Sequence, residues 1–474
     1  MNEAPQFRFW DRTWERIGRA FRDVAKSART AWGGTYHPDL SEDDMSRLEG
    51  QIAAWYEGRG GEVVARAQAA EFGRLYLGLN AEGRLRFLRL LALHHGVDRA
   101  RLTTEMALWD KAASEKEKAA AESRLRTVLV PRRIKLLSQF TDLPQGVKFL
   151  VDLRADLLRL DNTEPELSAL AAEMRELFAS WFDIGFLDLK RITWDSPALL
   201  LEKLVDYEAV HEIQSWRDLK NRLESDRRCF AFFHERMPTE PLIFVEVALV
   251  DGMAGSVQAL LDENAPVQDV TTADTAIFYS ISNCQKGLAG VSFGNFLIKR
   301  VVATLAADLP NLKYFATLSP IPGFRAWLAK ELQGPNGAML LTAEEAQALG
   351  AASGDHGDGP AALLKLLERR DWPEDAAVAA ALRAPLMRLC AHYLIEEKRG
   401  ARALDRVAHF HLSNGAQVER LNWLGDTSPN GLRQSAGIMV NYRYRSDRIE
   451  SNHEAYRGEG RVTAHPQVLR LLTP

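Results

Sequence analysis

The chain has 474 residues, of which 46% are hydrophobic and 26% charged. That is an ordinary globular composition, in a chain longer than one hydrophobic core usually supports, so two domains are expected. Lys and Arg number 60 against 64 Asp and Glu, a net charge of −4, which speaks against a nucleic-acid or membrane-surface binder but leaves room for a local basic site. Cys229, Cys284 and Cys390 are too scattered for a disulfide framework or a zinc site. No run reads as apolar enough to cross a bilayer.

Residues 1 to about 190 read as helix after helix. The first carries Trp10, Trp14, Ile17, Phe21 and Val24 at helical spacing. It is rich in arginine, like a mitochondrial presequence, but Asp11, Glu15 and Asp23 argue against one. The chain also lacks a C-terminal Ser-Lys-Leu, so a cytoplasmic placement is expected. Ser41 reads as an N-cap with acids behind it. Leu75, Leu79, Leu85, Leu88, Leu91 and Leu93 predict a leucine-packed bundle with no catalytic constellation. His94 and His95, adjacent on a helix, point about 100° apart and do not share a metal.

Near 190 the texture changes. Residues 229–237 and 241–250 predict a hairpin, the second run being a buried strand interrupted by Glu246. A strand over 275–283, a helix over 290–309 and a strand over 313–319 follow. A helical insertion spans about 330–400, with a glycine-rich loop at 350–359. Strands return at 406–412, 416–424 and 435–445. The expected domains are 1–190 and 191–474.

Between the strand at 275–283 and the next helix lies Gln285-Lys286-Gly287-Leu288-Ala289-Gly290. Glycines before a helix start let an anion approach free backbone N–H groups. The spacing fits neither a P-loop nor a dinucleotide fingerprint. It resembles the pyrophosphate loop of the acetyltransferase (GNAT) fold, which holds coenzyme A. Ser319 ends a strand and is followed by Pro320, Pro322 and Gly323. No G-x-S-x-G surrounds it, which disfavours a nucleophile-elbow hydrolase. His409 and His411 lie in a short apolar run about ninety residues on.

The stretches FYSISNCQKGLAGVSFGNFLIKRVV, LSPIPGFRAWL, FHLSNGA, LNWLGDTSPNG and GIMVNYRY resemble, in order, signature blocks of the malonyl-CoA decarboxylase family, as does YEAVHEIQSWRDLKNRL at 207–223. The resemblance spans about 190–470. It implies an α+β protein of two domains: an N-terminal all-α helical bundle and a GNAT-like α/β catalytic domain. It implies a carboxy-lyase that converts malonyl-CoA to acetyl-CoA and carbon dioxide with no metal or organic cofactor. The catalytic serine and histidine fall on Ser319 and His411, not His409. Ser280 and Tyr444 correspond to further functional positions. The malonyl-CoA loop falls on Ala289, Gly290, Val291, Ser292, Phe293, Gly294 and Asn295, to which the loop pattern adds Gln285, Lys286 and Gly287. A homo-oligomer, a tetramer built from dimers, is implied as well. The family pattern has Glu where this chain has Ser292, so either no carboxylate is required there or another acid replaces it.

Loss of carbon dioxide from a malonyl thioester leaves an enolate, with the thioester carbonyl as electron sink. Its oxygen needs hydrogen-bond donors, each worth about 2.7–4 kcal/mol, and its carbon needs a proton. His411 is the expected proton donor and Ser319 its hydrogen-bonded partner and substrate positioner. Which of them touches the carboxylate stays open. A CoA-dependent N-acyltransferase and a non-catalytic acyl-CoA-binding regulator are the competing readings, because fold alone allows all three.

Overall fold

The structure, a computed structural model, describes residues 6–27, 35–56, 62–160, 164–291, 297–354 and 358–473. It divides into two compact units. The first is Met1–Asp188 with Phe233–Leu242 and Asn283–Phe293; the second is Leu189–Phe232, Ile243–Ser282 and Gly294–Pro474. The chain therefore returns twice to the first unit, once in the turn between two strands and once in the glycine loop.

The first unit is helical. Helix α1 (Gln6–Ser27) buries Ile17 and Phe21 completely, as its spacing predicts. Ser41 caps the helix Glu42–Tyr56, its Oγ accepting the Asp44 N–H at 3.4 Å. Helices α2 (Glu62–Gly78) and α3 (Ala81–His94) bring Phe72 and Phe87 to 4.6 Å. Helix α4 (Gly146–Arg159) is buried on every side from Gly146 to Leu157. Its Phe149 stacks on Phe140 at 4.9 Å. A helix buried all round is expected to be apolar, yet α4 carries Lys148, Asp152, Arg154 and Asp156. Buried charges persist only when paired. Lys148 pairs with Asp152, and Asp156 receives the Tyr76 hydroxyl at 3.1 Å. Helix α5 (Pro165–Trp181) follows, opened by a proline at its first turn.

The sheet has seven strands: β1 (Leu187–Ile192), β2 (Arg227–His234), β3 (Ile243–Val250), β4 (Thr275–Asn283), β5 (Tyr314–Thr317), β6 (Gln417–Asn422) and β7 (Met439–Arg443). Their spatial order is β1-β2-β3-β4-β5-β7-β6. The predicted hairpin is present, with Arg227 opposite Ala248 in antiparallel register. All of β3 is buried, and Glu246 within it meets Arg222 at 3.1 Å. Burial, then the nearby Glu208 carboxylate, pushes Glu246 up to about 8. Strands β4 and β5 are parallel, joined through helix α6 (Leu297–Asp308), because parallel neighbours need a crossover. β7 lies antiparallel to both β5 and β6. The chain is thus a helical region followed by a mixed α/β sheet, the class the sequence predicts.

Two expectations are corrected. Helix α7 (Ala376–Ile395), within the insertion, has 20 residues and is long and apolar enough, by length and composition, to cross a membrane. It is a core helix, burying Leu382, Leu386, Leu389 and Tyr393 and carrying Pro385 in its interior. The expected strand at 406–412 is helix α8 (Arg406–Ser413). A short apolar run does not distinguish helix from strand by period; the deciding feature is Asp405, whose carboxylate caps Val407 and Ala408 N–H at 2.9 Å each. Of the glycine-rich stretch, residues 350–353 close the helix Ala343–Ser353, Gly354 sits at φ +70°, and Gly359 opens the helix Gly359–Glu368; residues 355–357 lie outside the described residues.

Candidate active site

Ser319 is not a loose turn residue. Two residues past β5 it continues the ladder, donating its N–H to Val440 O at 2.8 Å and accepting the Val440 N–H at 3.0 Å. The chain then bends through Pro320 and Pro322 into the helix Phe324–Leu332. Leu318, Ile321 and Phe324 are fully buried around it.

His411 comes from α8. The Asp405 carboxylate that caps α8 also accepts the Gly323 N–H at 3.4 Å. One side chain therefore ties the turn after Ser319 to the helix that carries His411. Gly323 is required there, because a Cβ would sit 2.2 Å from the Tyr393 hydroxyl.

The side chains form a single directional chain. Ser319 Oγ donates to Thr317 Oγ1 at 2.8 Å and lies 3.2 Å from His411 Nε2. With its own proton committed, the Ser319 oxygen accepts Nε2–H. Nδ1 is then left to accept the Tyr444 hydroxyl at 2.8 Å. Thr317 Oγ1 is held in turn by the Tyr442 N–H at 3.1 Å. Tyr442 stacks on the imidazole, centroids 4.6 Å apart and planes 22° apart. Tyr442 and Tyr444 share a face because side chains on a strand repeat every two residues.

Ser319, His411 and Tyr444 are all buried. Burial alone depresses His411 to about 3, so the imidazole is neutral near pH 7 when no substrate is present. This changes the expectation of a ready acid at neutral pH. Burial pushes the Tyr444 phenol well above its ordinary range.

His409 lies two residues from His411 on α8, about 200° round the helix. It bonds the Tyr456 hydroxyl at 2.8 Å instead. Ser280, on β4, gives its hydroxyl to the buried Glu208 carboxylate at 2.7 and 2.9 Å, and lies 3.3 Å from Ser282 Oγ. Among the described residues no hydrogen bond joins it to the Ser319–His411–Tyr444 chain.

The glycine loop belongs to the first unit. Two of its predicted ligands serve packing. Gln285 is buried and donates to Pro241 O at 2.9 Å. A Cβ on Gly287 would fall 1.7 Å from the Val151 carbonyl of α4, so glycine is needed there for close helix contact. Val291 is buried, while Lys286, Ala289 and Gly290 are exposed. Ser292, Phe293, Gly294 and Asn295 lie outside the described residues.

Sequence reasoning missed Thr317, Tyr442, Asp405 and Arg154. Arg154 is buried on α4 and donates to the loop carbonyls of Gly287 and Ala289 at 2.5 and 2.9 Å. Its signal was present: a charged residue inside a run whose other faces are apolar needs a fixed partner. Thr317 and Tyr442 had only their two-residue offset from Ser319 and Tyr444.

A family model described as the malonyl-CoA decarboxylase C-terminal domain matches residues 185–474, and one for the N-terminal domain matches residues 95–182. The mitochondrial malonyl-CoA decarboxylase of Anser anser anser is 41% identical over 426 residues, covering 86% of this chain and 84% of that protein. The Rattus norvegicus mitochondrial enzyme is 39% identical, covering 86% of each. The crystal structure of malonyl-CoA decarboxylase from Rhodopseudomonas palustris superposes with a TM-score of 0.81 at 41% identity, over 91% of this chain and all of that one. The cytoplasmic placement expected above is overturned, since these vertebrate relatives are mitochondrial. The acids counted against a presequence lie in α1, which packs Phe21 against Phe149 at 5.4 Å. A helix under packing constraints does not report on compartment through its acid content.

Proposed function

The chain belongs to the malonyl-CoA decarboxylase family of carboxy-lyases, and from that premise we propose that it converts malonyl-CoA to acetyl-CoA and carbon dioxide at the Ser319–His411 pair. The observation that carries the reading is the buried hydrogen-bond chain Tyr444–His411–Ser319–Thr317. The bond between C2 and the carboxylate breaks, its electron pair enters the thioester as an enolate, and carbon dioxide leaves. A substrate carboxylate in this dry setting brings one negative charge, which favours the imidazolium of His411. The imidazolium gives its proton to C2 and returns to neutral, so one proton is drawn from solvent per turnover. Ser319, held by Thr317 and Nε2, positions the acyl group. Tyr444 fixes the imidazole orientation. No metal or organic cofactor enters this scheme, because the thioester is the electron sink. Ser280, held by Glu208, is proposed to act at the same centre. Coenzyme A is proposed to be held by the loop from Gln285 to Asn295.

Self-association is proposed to run through the helices Arg99–Asp110 and Glu115–Leu129. The first buries no residue, and Met106, Leu108, Trp109, Leu129 and Val130 are exposed on or beside them. Phe72 and Trp55, large apolar residues of the same helical region, are buried in their own unit and do not mark such a surface; Trp32 and the Trp10 side chain lie outside the described residues. The deciding experiment for the activity is release of labelled carbon dioxide from malonyl-CoA with no acyl acceptor present. An N-acyltransferase or a binding-only protein gives none.

A further inference from the structure

The loop after β4 has a side turned away from the helix that holds it. Arg154 is held by main-chain carbonyls: Nη1 donates to those of Gly287 and Ala289, and Nε donates to that of Ala171 at 3.1 Å. In a trans peptide the N–H lies on the opposite edge from the C=O. The Ala289 carbonyl faces Arg154, so the Gly290 N–H faces the other way. Among the described residues no acceptor takes it. Gly290 is exposed and sits at φ +77°, a conformation that frees its N–H while favouring glycine.

Beside it stands Arg175 of α5. A Cβ built on Gly290 would lie 3.5 Å from Arg175 Cδ. Arg175 is exposed, and among the described residues no carboxylate forms an ion pair with it. After burial, Arg175 is also what lowers the proton affinity of Arg154, so the two guanidinium groups are close enough to repel. Lys286, in the same loop, is exposed as well. Two guanidinium groups that repel each other, beside an unused backbone donor, make a setting that an anion relieves.

We propose that Arg175, with the Gly290 N–H and Lys286, binds a phosphate group of the coenzyme A moiety. The inference rests on the substrate reading above, and every residue it names belongs to the first unit. A guanidinium suits this place because its planar fork meets a phosphate with two parallel hydrogen bonds.

The test uses the full-length protein with Arg175→Gln and Arg175→Lys, titrated calorimetrically with coenzyme A and with 3′-dephospho-coenzyme A. Arg175 is exposed, so Gln leaves the fold intact, which circular dichroism checks. Arg175→Gln is expected to weaken coenzyme A binding about ten-fold and to raise KM for malonyl-CoA in parallel, with the larger effect on KM than on kcat. Arg175→Lys recovers part of the loss, and the salt dependence of binding becomes shallower in Arg175→Gln. If the 3′-phosphate is the group bound, dephospho-coenzyme A binds wild type and Arg175→Gln alike. If the diphosphate is bound, both ligands weaken together. Unchanged affinity for both ligands in Arg175→Gln, with wild type binding coenzyme A, overturns the proposal. A wild type that binds no coenzyme A refutes the substrate reading itself.

Discussion

His411 offers a test that needs no substrate. Buried in the folded chain, it titrates at about 3, against an ordinary 6.5. Below pH 6.5 the unfolded chain therefore binds a proton that the folded chain refuses until about pH 3. The neutral ring's contribution is intact above pH 6.5 and is lost as pH falls through that window. Each pH unit costs about 1.4 kcal/mol, so acidification from pH 7 to pH 5 costs about 2 kcal/mol at this one residue. The assay is urea unfolding of wild type and His411→Gln at both pH values. Gln retains polar atoms for Ser319 and Tyr444 but does not titrate. Wild type is expected to lose about 2 kcal/mol more than the variant between the two pH values. His95 and His211, each lowered to about 4 by burial, drift equally in both proteins and cancel in the difference. Equal losses in the two proteins would refute the reasoning, because His411 would then titrate as an exposed residue and stand partly protonated near neutrality.

Ser319→Ala and His411→Ala should each lower kcat by roughly 10²–10⁴ while coenzyme A binding, read by calorimetry, persists; near-wild-type turnover in either removes that residue from the chemistry. His409→Ala should be much milder, since its ring bonds Tyr456 on the other side of α8. Thr317→Val keeps the shape but removes the acceptor of the Ser319 proton, so kcat should fall about ten-fold, equal to about 1.4 kcal/mol, and Thr317→Ser should restore it. A Val variant with wild-type kcat would show that the Thr317 contact is only structural. Gly290→Val places a β-branched residue at φ +77° beside Arg175, so KM for malonyl-CoA should rise; an unchanged KM in a folded variant counts against the loop as a phosphate cradle. Light scattering should give a mass that is a multiple of 53.1 kDa, and Trp109→Glu with Leu108→Glu should reduce it. A wild-type mass of one chain at micromolar concentration ends the oligomer proposal and leaves the decarboxylase reading untouched.

The sequence by itself determined the features written in local period and local blocks. The apolar run Ile243–Val250 and the strand Thr275–Asn283 were visible because strand-forming residues lie between turn residues. The spacing of Ile17 and Phe21 specified a packed first helix. The family blocks pointed to Ser319, His411 and Tyr444, and the structure links those three by hydrogen bonds. Only the tertiary structure decided what depends on distant partners. Helix or strand at Arg406–Ser413 turned on the Asp405 cap, which a short apolar run does not reveal. The neutral state of His411 comes from burial, and desolvation belongs to the surroundings rather than to the residue. Gly287 reads as a loop glycine, and only the fold shows that it also admits α4: a Cβ there would fall 1.7 Å from the Val151 carbonyl, 136 positions earlier in the chain. Arg154 and Arg175 sit in stretches that read as plain helix, and their use is visible only once the loop returns to the helical unit. Hydrogen bonds and desolvation act over a few ångströms in space, so any property they set stays hidden until the chain has folded its distant parts together.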